Sequence, residues 1–340
     1  MRHLLIFLGT IFLGLFIILV YRNSHLKSDT KPVLRVYASS SFISQWGPGP
    51  WLKAEFEKTC QCKVEFQESI DSYLMIQKIK SESVRGVDVV MGFDQFDLEL
   101  ARQSAAWKKV ERPLEDQKDS YALNKVGDFV PYDYSLVSFV HRISDLSPAP
   151  QSFQELSRED LKNQLVLIDP RSSSLGLQML LWLVTSYGEE KAFELLKSIN
   201  ENVKIYASSW SGAYGLFKEK QAGLVLSYVT SPLYHKIEEK DMGYSAAAFK
   251  EGHPLQIEYA GIPEACKECE LAQEFINLVL SENGQKIIVQ KNYMFPVLKD
   301  VLENSIIKEI PPYERLPIPA PSISERERLI KKWTQLRRSQ

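Results

Sequence analysis

Three consecutive serines at 172–174, aromatic residues at Trp46, Trp210, Tyr228 and Tyr293, and carboxylates at Asp71 and Asp94 are the side chains best suited to chemistry. Aromatic faces attract cations, more strongly where water is excluded. Hydroxyls gathered on a helix N-terminus suit an anion, because the first backbone N–H groups there are unpaired and the helix dipole is positive. Ser39, Ser173, Ser174, Thr230 and Ser231 supply such hydroxyls. Together the set fits a ligand with a flat cationic ring at one end and a phosphate or alcohol at the other. Taken singly, each residue has a plainer reading as a helix cap or a core aromatic. The case rests on their shared position after strands.

No catalytic constellation accompanies them. The chain has no G-x-S-x-G, no H-E-x-x-H, no glycine-rich phosphate loop with lysine and no dinucleotide fingerprint. Its five histidines show no ligand spacing, so neither a nucleophile set nor a metal site is nominated. The 41 Lys and Arg against 43 Asp and Glu leave a net charge of −2. Without a basic stripe, nucleic acid is not an expected partner.

The elements that must position these residues follow from the 340-residue chain itself. Residues 164–185 read as a buried strand, Leu165–Ile168, stopped by Asp169-Pro170, then a serine loop and a helix with Leu177, Leu180, Leu181 and Val184 at helical spacing. The same strand, polar loop, helix order recurs from Val33–Ala38 into Ser39, from Lys63–Phe66 into Asp71-Ser72, and from Val87–Met91 into Asp94. It recurs again from Val203–Tyr206 into Trp210, and from Gly223–Tyr228 into Thr230-Ser231. Such alternation predicts a parallel α/β sheet with ligands beyond the strands' carboxyl ends. Ser135–His141 reads as a long alternating strand, and 323–338 as a closing amphipathic helix capped by Ser324.

Residues 4–20 carry no charge and follow Arg2 and His3. They read as an export signal or an uncleaved anchor, placing the body outside the cytoplasm. There, Cys60-x-Cys62 and Cys266-x-x-Cys269 read as two local disulfides, C-x-C being a poor zinc half-site.

W-G-P-G-P at 46–50, C-x-C at 60–62, F-V-P-Y-D-Y at 129–134, D-P-R-S-S-S-x-G-L at 169–177, W-S-x-A-Y-G-L-F at 210–217 and L-S-Y-x-T-S-P-x-Y-H at 226–235 occur together and in order. Over roughly 33–300 the chain thereby resembles the periplasmic thiamine-binding proteins of bacterial ABC transporters. The resemblance implies the two-lobed, type II periplasmic-binding-protein fold, with the ligand held in a cleft between lobes that close by a hinge. It implies thiamine, thiamine monophosphate or thiamine diphosphate as transported ligand, no cofactor, and delivery to an inner-membrane permease by a monomeric receptor. The family's pocket acid falls on Asp71, its phosphate-side hydroxyls on Ser173 and Ser174, and its pocket tryptophan on Trp210. The run after the second lobe's last strand falls on Tyr228, Val229, Thr230 and Ser231, and a further aromatic on Tyr293. Four positions depart from the family pattern: Ser39 for a tyrosine, Tyr293 for a tryptophan, Val229 for a threonine and Ser72 for a glycine.

The expected organisation is therefore a signal or anchor at 1–30, a first lobe of 31–134 with 255–340, and a second lobe of 135–254. The expected function is capture of thiamine or its esters in the periplasm, by binding and not chemistry. Rival readings are a ferric-iron receptor of the same fold, an extracytoplasmic phosphate-ester hydrolase, and a tethered sensor without a transporter. Iron receptors use closely spaced tyrosines, and Tyr228 has no adjacent partner.

Overall fold

A computed structural model describes residues 31–81, 86–111 and 127–339. The segment read as an export signal or anchor lies outside the described residues.

The strands that bear the predicted loops are β1 (Val33–Ser39), β2 (Lys63–Ser69) and β3 (Val89–Asp94), followed by β4 (Phe129–Arg142). The second half adds β5 (Leu165–Ile168), β6 (Val203–Ala207), β7 (Leu224–Tyr228) and β8 (His253–Pro263). They hydrogen-bond side by side in the order β2-β1-β3-β8-β4-β7-β5-β6. β1 pairs in parallel with β2 and β3, and β5 in parallel with β6 and β7. The alternation of strand and helix thus yields two parallel halves.

Two long antiparallel strands join the halves. Residues 129–136 of β4 pair with β8, whereas residues 137–141 pair with β7. One strand therefore belongs to both halves, and its 14 residues are buried throughout, which accounts for its apolar and aromatic run. Pairing with β8 is interrupted by a register shift between Glu258 and Tyr259. Such a bulge bends a strand and re-aims a side chain.

Each half has its own core. Val36, Phe42, Met91, Phe275 and Val297 pack in the first. Phe139, Val166, Leu177, Trp182 and Leu226 pack in the second. Helix α1 (Ser174–Tyr187) is apolar nearly all round because it lies inside the second half. It approaches β5 so closely that a Cβ on Gly176 would stand 2.6 Å from the Ile168 carbonyl oxygen. Any larger residue there would push the helix start away from the end of β5.

The closing helix, α2 (Ile323–Arg338), was expected with the first lobe, yet Leu329 and Trp333 enter the second core. Arg328 and Lys332 meet Glu189 of the second half at 2.7 and 2.8 Å. At its other end, buried Arg326 pairs with Asp97 of the first half at 2.8 Å and lies over the Tyr73 ring. The amphipathic stripe has two partners, so the helix straps both halves. Its cap is Ser322, which accepts the Glu325 N–H, and not Ser324. Cys60 is joined to Cys62 and Cys266 to Cys269.

Candidate functional site

The carboxyl ends of β1, β2, β3, β5, β6 and β7 converge on one cleft of about 320 Å³ between the halves. Eleven of the twelve predicted residues line it: Ser39, Trp46, Asp71, Ser72, Ser173, Ser174, Trp210, Tyr228, Thr230, Ser231 and Tyr293. Val229 does not. Its side chain packs in the second core, while its N–H donates to the Leu136 carbonyl. Tyr228, Thr230 and Ser231 take the cleft side, while the turn after the strand carries Val229 the other way.

The α1 N-terminus is engaged differently from the anion socket read in the sequence. The Ser174 N–H donates to Asp71 Oδ1 at 3.2 Å, across the cleft. The Ser174 hydroxyl donates to Asp94 Oδ2, which also accepts from Gln178 Nε2 at 2.6 Å. The Asp71 carboxyl thus takes one of the N–H groups that the helix start presents. Burial pushes the Asp71 carboxyl up to about 6, with the donors of Ser173, Ser174 and Ser72 pulling the other way. Burial, then the neighbouring Asp97, pushes Asp94 up to about 8. Thr230 and Ser231 also have protein partners, Ser135 at 3.1 Å and Ser227 at 2.7 Å.

The wall is aromatic. Helix α3 (Trp210–Lys218), which lies between α1 and the closing helix in the chain, starts at the Ser209 cap, whose hydroxyl accepts the Gly212 N–H at 3.2 Å. That start fixes Trp210. Its indole N–H donates to Ser227 Oγ at 2.9 Å, and its ring stacks on Tyr214 with centroids 5.1 Å apart. Tyr228 stands 6.3 Å from the same indole. Behind Tyr214, its hydroxyl meets buried His235 Nε2 at 3.0 Å, and His235 Nδ1 meets Glu239 at 2.6 Å. Trp46 lies at the rim, 58 % exposed.

Several lining residues escaped the sequence reading: Tyr214, Lys218, Tyr234, Gln256, Glu258 and Lys291. Tyr214 and Lys218 follow Trp210 at i+4 and i+8, a spacing that puts all three on one helix face and could have revealed them. Glu258 sits at the bulge of β8, and no local pattern marks it. It accepts the Tyr132 hydroxyl at 2.7 Å, and burial raises its carboxyl. Behind it, Asp133 is raised further by burial and then by Glu258, while accepting from Asn292 at 2.6 Å.

Contacts also close the cleft. Tyr293 donates its hydroxyl to Glu238 Oε1 at 2.8 Å, and Ser40 Oγ lies 3.4 Å from Ser211 Oγ.

Two lobes joined by crossing strands, with strand ends meeting at a closed interlobe cleft, define an extracytoplasmic solute-binding protein. A sequence model described as bacterial extracellular solute-binding protein matches residues 84–318. The chain is 36 % identical over 310 residues to the thiamine-binding periplasmic protein of Escherichia coli K12, covering 89 % of this chain and 93 % of that one. It is 40 % identical over 268 residues to the protein of the same name from Salmonella typhimurium LT2, covering 78 % and 81 %. A solved periplasmic thiamin binding protein superposes with a TM-score of 0.83 at 34 % identity, covering 90 % of this chain and 96 % of that one. The chain belongs to the thiamine-binding periplasmic protein family, within the bacterial extracellular solute-binding proteins.

Proposed function

We propose that this chain is a periplasmic receptor that captures thiamine and passes it to the permease of an ABC transporter. The observation that carries the reading is a cleft with an aromatic wall and a buried acidic floor, in a chain of this family. Thiamine offers an aminopyrimidine and a cationic thiazolium ring. Trp210, Tyr228 and Tyr293 wall the rings, the cation gaining from ring faces in a water-poor site. Asp71 supplies the opposite charge or accepts from the aminopyrimidine. Ser39, Ser72, Ser173, Ser174, Thr230 and Ser231 bound the rest, most of them holding other site groups in place.

The role is binding and release, with hinge opening for hand-over. Among the described residues no group of three or more His, Cys, Asp or Glu could hold a metal ion. Equilibrium dialysis against labelled thiamine tests the function. One saturable site that is weakened in Trp210→Ala supports it, and no retention by the wild-type chain contradicts it.

A further inference from the structure

His235 ends the 226–235 run read in the sequence, yet it does not line the cleft. It is fully buried, at the start of a single wide π-helical turn, His235–Glu239, that lies beyond β7. Turns of this kind are rare and recur at functional sites. The imidazole lies flat on the Tyr244 ring, with 6° between the planes. Its Nδ1 meets Glu239 Oε2 at 2.6 Å, and its Nε2 meets the Tyr214 hydroxyl at 3.0 Å.

These contacts have a direction. Burial holds the His235 pKa below its ordinary value, against the pull of Glu239, so at neutral pH the ring has one N–H and one acceptor nitrogen. An ionised Glu239 only accepts, which fixes the proton on Nδ1 and leaves Nε2 to accept the Tyr214 hydroxyl. The other acceptor near that hydroxyl, the Ser231 carbonyl, is farther away at 3.4 Å. Glu239 also stands 3.4 Å from Lys218 Nζ. His235 and Glu239, four residues apart on their turn, thereby grip Tyr214 and Lys218, four residues apart on α3. Tying the far end of a tyrosine fixes the direction of its ring, and the Tyr214 ring is the one on which Trp210 stacks, 5.1 Å between centroids and 23° between planes.

Resting on the thiamine reading, we infer that His235, oriented by Glu239, is a positioning residue for the aromatic wall: it holds Tyr214 by the hydroxyl so that Trp210, stacked on that ring, keeps its orientation toward the cleft. Attraction between a cation and an indole depends on the cation's place over the ring face. Release of Tyr214 therefore weakens binding although His235 itself touches no ligand.

The test is titration of the full chain with thiamine, with thermal unfolding measured alongside. His235→Leu removes both ring nitrogens and weakens binding about fivefold. His235→Gln offers an amide oxygen in place of Nε2 and recovers the affinity to within about twofold. Tyr214→Phe keeps the ring, loses the hydroxyl and weakens binding as His235→Leu does, and the two together add nothing further. In a Trp210→Ala background His235→Leu leaves affinity where Trp210→Ala put it, whereas a general loss of stability would weaken binding equally in both backgrounds. Should His235→Leu fail to fold, Tyr214→Phe carries the same comparison between backgrounds. Unchanged affinity in Tyr214→Phe and His235→Leu, or equal losses with and without Trp210, overturns the proposal while leaving thiamine binding intact. Failure of the wild-type chain to bind thiamine at all overturns the parent reading, and the proposal with it.

Discussion

The floor and the mouth of the cleft both carry ionisable side chains, but hold them by different means. On the floor, carboxyl groups are buried and held by backbone and side-chain donors of the opposite half: Asp71 by Ser174, Asp94 by Ser174 and Gln178. At the mouth, Lys218 and Lys291 stay partly hydrated and form long, shared ion pairs. Buried charge carries a desolvation penalty that a matched ligand charge relieves, whereas exposed pairs contribute little until a ligand excludes water. The floor should therefore set affinity and the mouth should set choice among related ligands.

Asp71→Asn breaks the floor and has the largest expected effect. Thiamine affinity falls by about a hundredfold, near 2.8 kcal/mol, because a buried cation loses its counter-charge. The same variant should be more stable than wild type when unliganded. Asp71 titrates near 6 when folded, above its unfolded value of about 3.9. The stability held by its protonated form is present below about pH 4 and lost as pH rises through about 6, and asparagine mimics that form. At pH 7.5 thermal unfolding should show a gain of about 1–3 kcal/mol. A variant that loses both binding and stability would mean that Asp71 serves the fold.

Trp210→Ala tests the wall between floor and mouth. Removing one ring face from a desolvated cation costs about 2 kcal/mol, some thirtyfold in dissociation constant by titration. The pH dependence sharpens the contrast. Lowering pH from 7.5 to 5 protonates Asp71 and weakens thiamine binding roughly tenfold. Tyr293→Phe has the smallest effect. It removes the hydroxyl that latches Glu238 across the cleft, about 1 kcal/mol of closure, and dissociation measured by stopped flow should quicken about fivefold.

The sequence makes most of the floor legible and little of the mouth. Strand, polar loop and helix recur with enough regularity to place Ser39, Asp71, Ser173, Trp210 and Thr230 beyond strand ends, where the cleft lies. Val229 carries no local signal that the turn after the strand sends its side chain into the second core. The α1 N-terminus was legible as an anion socket, but its occupant, Asp71, lies 103 residues away. Glu258 depends on the antiparallel meeting of β4 and β8, a non-local pairing with no local signature. Lys218 and Lys291 belong to opposite halves and become neighbours of one cleft only after both have folded. The closing helix shows the same limit, since its apolar stripe signals burial without saying against which half.

The most direct measurement is calorimetric titration of the full chain with thiamine near pH 6, repeated in buffers of different ionisation enthalpy. The account predicts one-to-one binding with net proton release, because a cation arriving on the floor drives the raised Asp71 carboxyl to its ionised form. No saturable heat, or binding with proton uptake, would contradict it.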